Sequence, residues 1–178
     1  MGAGILPVAL YRGSLMVLLG QERHNNLWCD FGGSPLPQER KNQYITAIRE
    51  GAEELNGLFG DKDDLKIIVD DKLICGIKNY DDKYTSFLFN LQYDKNLEIY
   101  FENQNKFIES HLQNEIVKHN GLFEKKKITW YNIVELEEKL NSNNFIRPHY
   151  YIILKYIVDN NKAITNSVIN MNKIENKS

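Results

Sequence analysis

The sequence predicts an α/β protein, a mixed β-sheet flanked by helices, and three observations lead to it. The elements read in the order strand, strand, loop, helix, two β-rich runs, strand, helix. At 178 residues with 42% hydrophobic and 26% charged content, the chain has the makeup of one globular domain with a sizeable core. No internal repeat or interdomain linker interrupts it, so residues 1–160 are expected to form a single domain followed by a tail over 161–178.

Residues 4–20, GILPVALYRGSLMVLLG, are two apolar runs around the turn YRGS, where Gly13 supplies the turn conformation. LWCDFGGSPLPQE, with two glycines, two prolines and no sustained period, reads as a loop. A helix is expected from near Asn42, a residue suited to the N-cap, to Asn56. LKIIVDDKLICGI and YTSFLFNLQY then read as β-rich runs parted by acidic turns. FIESHLQNEIVKHN divides between helix and loop, and KKITWYNIVELEEKL passes from a strand into a short helix. RPHYYIILKYIVDN is a helix opened by Pro148 in its first turn. The tail, rich in Asn, Lys and Ile, is expected to be weakly packed or a helical extension.

Composition bounds the function. A net charge of -2 argues against a protein held to nucleic acid by bulk electrostatics. The dense cationic run Lys125–Lys127 reads as a solvated strand end. Cys29 and Cys75 lie in no paired motif, and His24, His111, His119 and His149 form no zinc-ligand spacing. MGAGILPVAL has no basic region ahead of a long apolar stretch, and no run approaches 18 apolar residues, so no membrane partner and a cytoplasmic location are expected.

The informative stretch is REGAEELNG, residues 49–57. At about 100° per residue, Ile45, Ile48, Ala52 and Leu55 fall on one side of the helix and Glu50, Glu53 and Glu54 on the other. Glu50 and Glu54 form an i,i+4 like-charge pair, which costs a few tenths of a kcal/mol. A solvated face and a cation-binding face both fit EGAEE alone. The preceding loop weighs toward the cation: Gly32-Gly33 offer backbone carbonyls, Glu39 adds a carboxylate, and Arg49 can hold a carboxylate in place.

GGSPLPQERKNQYITAIREGAEELNG, residues 33–57 with the glycine before them, resembles the box of the Nudix hydrolase family, G-x5-E-x7-R-E-U-x-E-E-x-G-U with U bulky and aliphatic. Gly33, Glu39 and the core Arg49, Glu50, Glu53 and Glu54 fall on its glycine, first glutamate, arginine and three helix glutamates. LWCDFGG, VLLGQER and ITWYNIVEL are similar to the family's flanking segments, extending the likeness over about residues 4–140. The box is divergent. Nine residues, not seven, separate Glu39 from Arg49, which puts the role of Glu39 in question. Gly51 replaces the aliphatic residue at a helix cost of about 1 kcal/mol, and Asn56-Gly57 replace the closing Gly-U.

The resemblance implies a Nudix-like α/β/α sandwich and Mg²⁺- or Mn²⁺-dependent cleavage of the pyrophosphate linkage in a nucleoside diphosphate joined to another moiety. It implies Glu53 and Glu54 as metal ligands, Glu50 as ligand or base, Arg49 as the group orienting them, and the Gly33 carbonyl as a further ligand. A late-loop carboxylate is expected from Glu115, or from Glu124. For the substrate, Trp28 and Phe31 are candidates for stacking on a base and Arg23 for phosphate, with Tyr80, Tyr84, Phe123 and Arg147 behind them. The expected partner is a small-molecule nucleotide. Two other readings stand beside it: a decapping enzyme acting on capped RNA through Lys125–Lys127, and a non-catalytic nucleotide-sensing module.

Overall fold

The hairpin at the start of the chain sets the frame. In the computed structural model, which describes residues 1–112, 123–142 and 145–175, β1 (Gly2–Tyr11) turns at Arg12 and Gly13 into β2 (Ser14–Glu22). Both turn residues have positive φ, 50° and 81°, as a two-residue turn that matches strand twist requires. The chain continues through β3 (Trp28–Cys29), β4 (Phe31–Gly33), a 3-10 turn (Pro37–Glu39) and α1 (Gln43–Glu54). Next come α2 (Lys62–Lys72), β5 (Leu73–Lys78), β6 (Tyr84–Asn90) and α3 (Leu97–His111). β7 (Lys125–Asn132), α4 (Ile133–Leu140), a 3-10 turn (Pro148–Tyr150), α5 (Tyr151–Asp159) and α6 (Asn161–Glu175) complete it.

The sheet runs β3-β2-β1-β6-β5, with β4 added on β1 and β7 on β2. Among the named strands of the described residues only β1 and β6 pair in parallel, so the sheet is mixed. β1 is shared along its length: Ala3 to Ile5 pair with β4, and Val8 to Tyr11 pair with β2. The sheet therefore parts between β2 and β4, next to Gly32 and Gly33.

Alternation along the strands builds two cores. Ala3, Ile5, Ala9, Met16 and Leu18 meet α1, α2 and α3 through Ala47, Ile48, Leu55, Leu65, Val69 and Phe101. Leu6, Val8, Leu15, Val17 and Leu19 meet α4, α5 and α6 through Leu136, Ile153, Leu154, Ile157, Ile164 and Val168. The result is the expected mixed sheet between two helical layers.

One β-rich reading gives way to a helix, and the tail takes its helical alternative. LKIIVDDK is α2, not a strand, because Asp61 caps it: its carboxylate accepts from the Asp63 and Asp64 N–H groups, and Asp64 returns to the Asp61 N–H. Leu65 and Val69, one turn apart, are its buried residues, while Ile67 stays 70% exposed. The tail over 161–175 is helical, with Ile164 and Val168 in the second core and Asn172 accepting from the Asn90 amide at 2.7 Å. No helix among the described residues is long and apolar enough to cross a membrane.

Candidate active site

α1 carries the glutamates, and its ends are set by local chemistry. The Asn42 side chain accepts from the Tyr44 and Ile45 N–H groups. At the other end Asn56 and Gly57 take positive φ, 51° and 70°. The Asn56 N–H donates to Glu53 O and the Gly57 N–H to Ala52 O, the paired bonds of a Schellman close. Asn56 also ties in neighbours: its amide donates to Asn105 Oδ1 of α3 at 2.6 Å and accepts from the Phe123 N–H at 3.0 Å.

The buried face is rotated from the one the residue angles suggest. Ala47, Ile48, Gly51 and Leu55 face the sheet, Ile45 is 49% exposed, and Glu54 is buried at 2% exposure. Gly51 sits at the contact, where a β-carbon would fall 2.5 Å from Ile5 Cδ1. The missing aliphatic group is what lets α1 approach β1.

Arg49 organises three carboxylates rather than one. Its Nε and Nη2 donate to the two oxygens of Glu39 at 2.9 and 3.0 Å, Nη1 to Glu53 Oε2 at 2.9 Å, and Nη2 to Glu50 Oε1 at 2.9 Å. Nη2 also reaches the Ser34 carbonyl. The turn Pro37–Glu39 absorbs the two extra residues, so Glu39 still meets Arg49 and is buried, with Leu36 N–H and Thr46 Oγ1 as further donors. Hydrogen bonding from Arg49, against the penalty of burial, holds the Glu39 carboxyl below the usual range. Its place is beneath the arginine.

Glu50 is half-buried, and burial raises its pKa; Arg49 opposes, while the charges of Glu53 and Glu124 add to the rise. Its carboxylate lies against Gly33, whose β-carbon would fall 2.6 Å from Oε2. Arg49 takes one oxygen of Glu50 and one of Glu53, and the second oxygen of each makes no hydrogen bond among the described residues. Two such carboxylates on adjacent turns fit Mg²⁺ or Mn²⁺, which take one or two carboxylates and fill the remaining positions with water and phosphate. No group of three His, Cys, Asp or Glu among the described residues is placed to hold a metal.

Glu54 is separated from that pair. Its Oε2 accepts from the Gly32 N–H at 2.7 Å and lies 3.2 Å from Lys125 Nζ. Lys125, expected as a solvated charge, is fully buried, and its ammonium donates to Glu22 Oε1 at 2.8 Å and contacts Cys29 Sγ at 3.0 Å. Burial works against that charge, but Glu54, Cys29 and Glu22 outweigh it and raise the Lys125 pKa. Arg147 Nη1 also donates to Glu22, at 3.1 Å. Beside this group Asp30 is buried, accepting from Tyr84 Oη at 2.7 Å and Ser86 Oγ at 2.6 Å. Glu22, Asp30 and the inward Lys125 escaped the sequence reading. Their partners are distant in the chain, and the one register cue, Glu22 opposite Lys125 at a β-bulge, exists only in the folded sheet.

The substrate candidates are not gathered at the carboxylates. Phe31 is fully buried and Trp28 is 5% exposed, the latter edge-on to Tyr131 and stacked on Phe145. Neither ring offers a face to a base, because both complete the cores around the strand loop. Arg23 pairs with Glu109 at 2.5 Å and donates to the Phe123 carbonyl. Phe123 and Tyr84 are buried, whereas Tyr80 is 87% exposed. With Lys125 turned inward, the lysine run presents only Lys126 and Lys127, and Lys127 lies over the Trp28 ring. Glu124 is exposed, and Glu115 lies outside the described residues.

No family model matches the chain, and no curated protein sequence matches it. Solved structures similar to it include a Listeria monocytogenes protein described as a NUDIX hydrolase, at 13% identity and TM-score 0.48, covering 93% of this chain and 96% of that one. The Ap4A hydrolase binary complex of C. elegans is similar at 17% identity and TM-score 0.45, covering 78% and 84%. The NUDIX domain of Shewanella oneidensis NrtR, complexed with ADP ribose, is similar at 10% identity and TM-score 0.44, covering 86% and 82%.

Proposed function

We propose that the chain is a Nudix-type hydrolase that cleaves the pyrophosphate linkage of a nucleoside diphosphate joined to another moiety, with Mg²⁺ or Mn²⁺ as its cofactor. The observation that carries this reading is the Arg49 clamp, which fixes Glu50 and Glu53 side by side within a sequence resembling the Nudix box. A pyrophosphate is shielded from nucleophiles by its own charge, and a divalent ion neutralises that charge and acidifies bound water. Glu53 and Glu50 are the residues that would hold the ion. Burial raises the Glu50 pKa, and a bound ion would oppose that rise and keep the carboxylate ionised. Arg49 keeps both carboxylates from swinging away, and Glu39, fixed from beneath, keeps Arg49 in place.

The test is a phosphate-release screen with Mg²⁺ and Mn²⁺ against nucleotide sugars, dinucleotides, nucleoside triphosphates and capped RNA. Turnover of a diphosphate-linked nucleotide is expected, and Glu53→Gln is expected to lower it below a tenth of the parent rate with the fold intact. A rate above a tenth removes Glu53 from the mechanism.

A second reading, a non-catalytic module that senses a nucleotide, is favoured by one observation: Lys125 draws one of the three helix glutamates into an internal ion pair. Nucleotide binding without hydrolysis across the screen would select it.

A further inference from the structure

The slot occupied by Lys125 is built for it. Its side chain crosses Gly20 of β2, where a β-carbon would fall 2.8 Å from Lys125 Cδ and 3.1 Å from Cε. No larger residue at 20 leaves that path open. At the end of the slot the ammonium meets Glu22 and Glu54, and Arg147 shares Glu22. Two carboxylates thus face two permanent cations, and none of the four needs an outside ion for balance. A buried ammonium survives only when paired in this way. A divalent ion bound to Glu54 would have to sit beside the ammonium on Oε2, and the two positive charges would repel each other in a buried setting.

We propose that Lys125 is a built-in cation that makes Glu54 a positioning residue, leaving divalent-metal binding to Glu50 and Glu53. Glu54 receives the Gly32 N–H on the oxygen that faces Lys125. The brace sets the start of Gly32-Gly33, and Gly33 is the surface against which the Glu50 carboxylate rests. Glu54 acts through that strand on the position of Glu50. The metal part of this proposal rests on the hydrolase reading above; the Lys125–Glu54 brace does not.

Mn²⁺ titration of the full chain, followed by calorimetry without substrate, tests it. E53Q is expected to weaken Mn²⁺ binding at least tenfold, while E54Q keeps the dissociation constant within twofold of the parent and lowers kcat. Loss of Mn²⁺ binding in E54Q equal to that in E53Q overturns the proposal, as does an unchanged kcat in E54Q. If the parent takes up no Mn²⁺, the metal-dependent reading fails, and the brace is decided by the ¹⁵N signal of the Lys125 ammonium. That signal is expected to shift in E54Q and to hold in E53Q. A signal unchanged in E54Q overturns the brace whether or not metal binds.

Discussion

Asp30 is a buried carboxyl that accepts from the hydroxyls of Tyr84 and Ser86. Burial pushes its pKa up to about 6, with those hydrogen bonds and the nearby Lys125 and Arg147 holding it back. In the unfolded chain it ionises near the ordinary value of about 4. Between about pH 4 and 6 the folded chain holds a proton that the unfolded chain has lost, so stability falls as pH rises through that window. The gap corresponds to about 3 kcal/mol. Asp30→Asn removes the titration: in urea unfolding the parent is expected to lose up to about 3 kcal/mol relative to D30N from pH 4 to 6, and parallel curves would refute this. Gly33 gives a second prediction. Its β-carbon would displace the Glu50 carboxylate, so Gly33→Ala is expected to keep the melting temperature and lower turnover about 10- to 100-fold. The Arg49–Glu50–Glu53 group was legible in the sequence because one helix carries it. Lys125 was not, since its pairing with Glu54 joins residues 71 positions apart (125 minus 54).

Helix ends were more legible than helix faces. Asn42 and the Asn56-Gly57 pair act locally, and both ends of α1 stand where those residues place them. The face of α1 depends on what it meets. Residue angles gather Ile45 with Ile48, but the shape of the sheet selects Gly51 as the point of closest approach and leaves Ile45 outside. α2 was misread because Ile67-Ile68-Val69 is a β-branched run, while its capping box and the burial of Leu65 and Val69 impose a helix. Asn56 joins a helix end to a neighbouring element. Glycine at that position keeps the positive φ but leaves Asn105 and the Phe123 N–H without their buried partner. Asn56→Gly is therefore expected to cost about 1–3 kcal/mol in urea unfolding; a change below a few tenths would mean that only the backbone matters there.

Across the whole molecule the sheet separates two tasks. One face receives α1 and the carboxylates; the other is closed by α4, α5 and α6. The inner ends of both meet at the parting between β2 and β4, where Glu54, Lys125, Glu22 and Arg147 lie together. Substitutions deep in the second core should therefore alter stability and spare the site, as long as they stay clear of that junction. Val168 of α6 qualifies: it is fully buried, packed with Ile164 against β1, β2 and β5. Val168→Ala removes two methyl-sized groups and leaves a small cavity, a loss of about 2–3 kcal/mol. Urea unfolding should record that loss while Mn²⁺ affinity and hydrolysis stay within twofold of the parent. A drop in Mn²⁺ affinity that tracks the lost stability would mean that the two cores are one cooperative support for Glu50 and Glu53, and that α6 belongs to the machinery of the site.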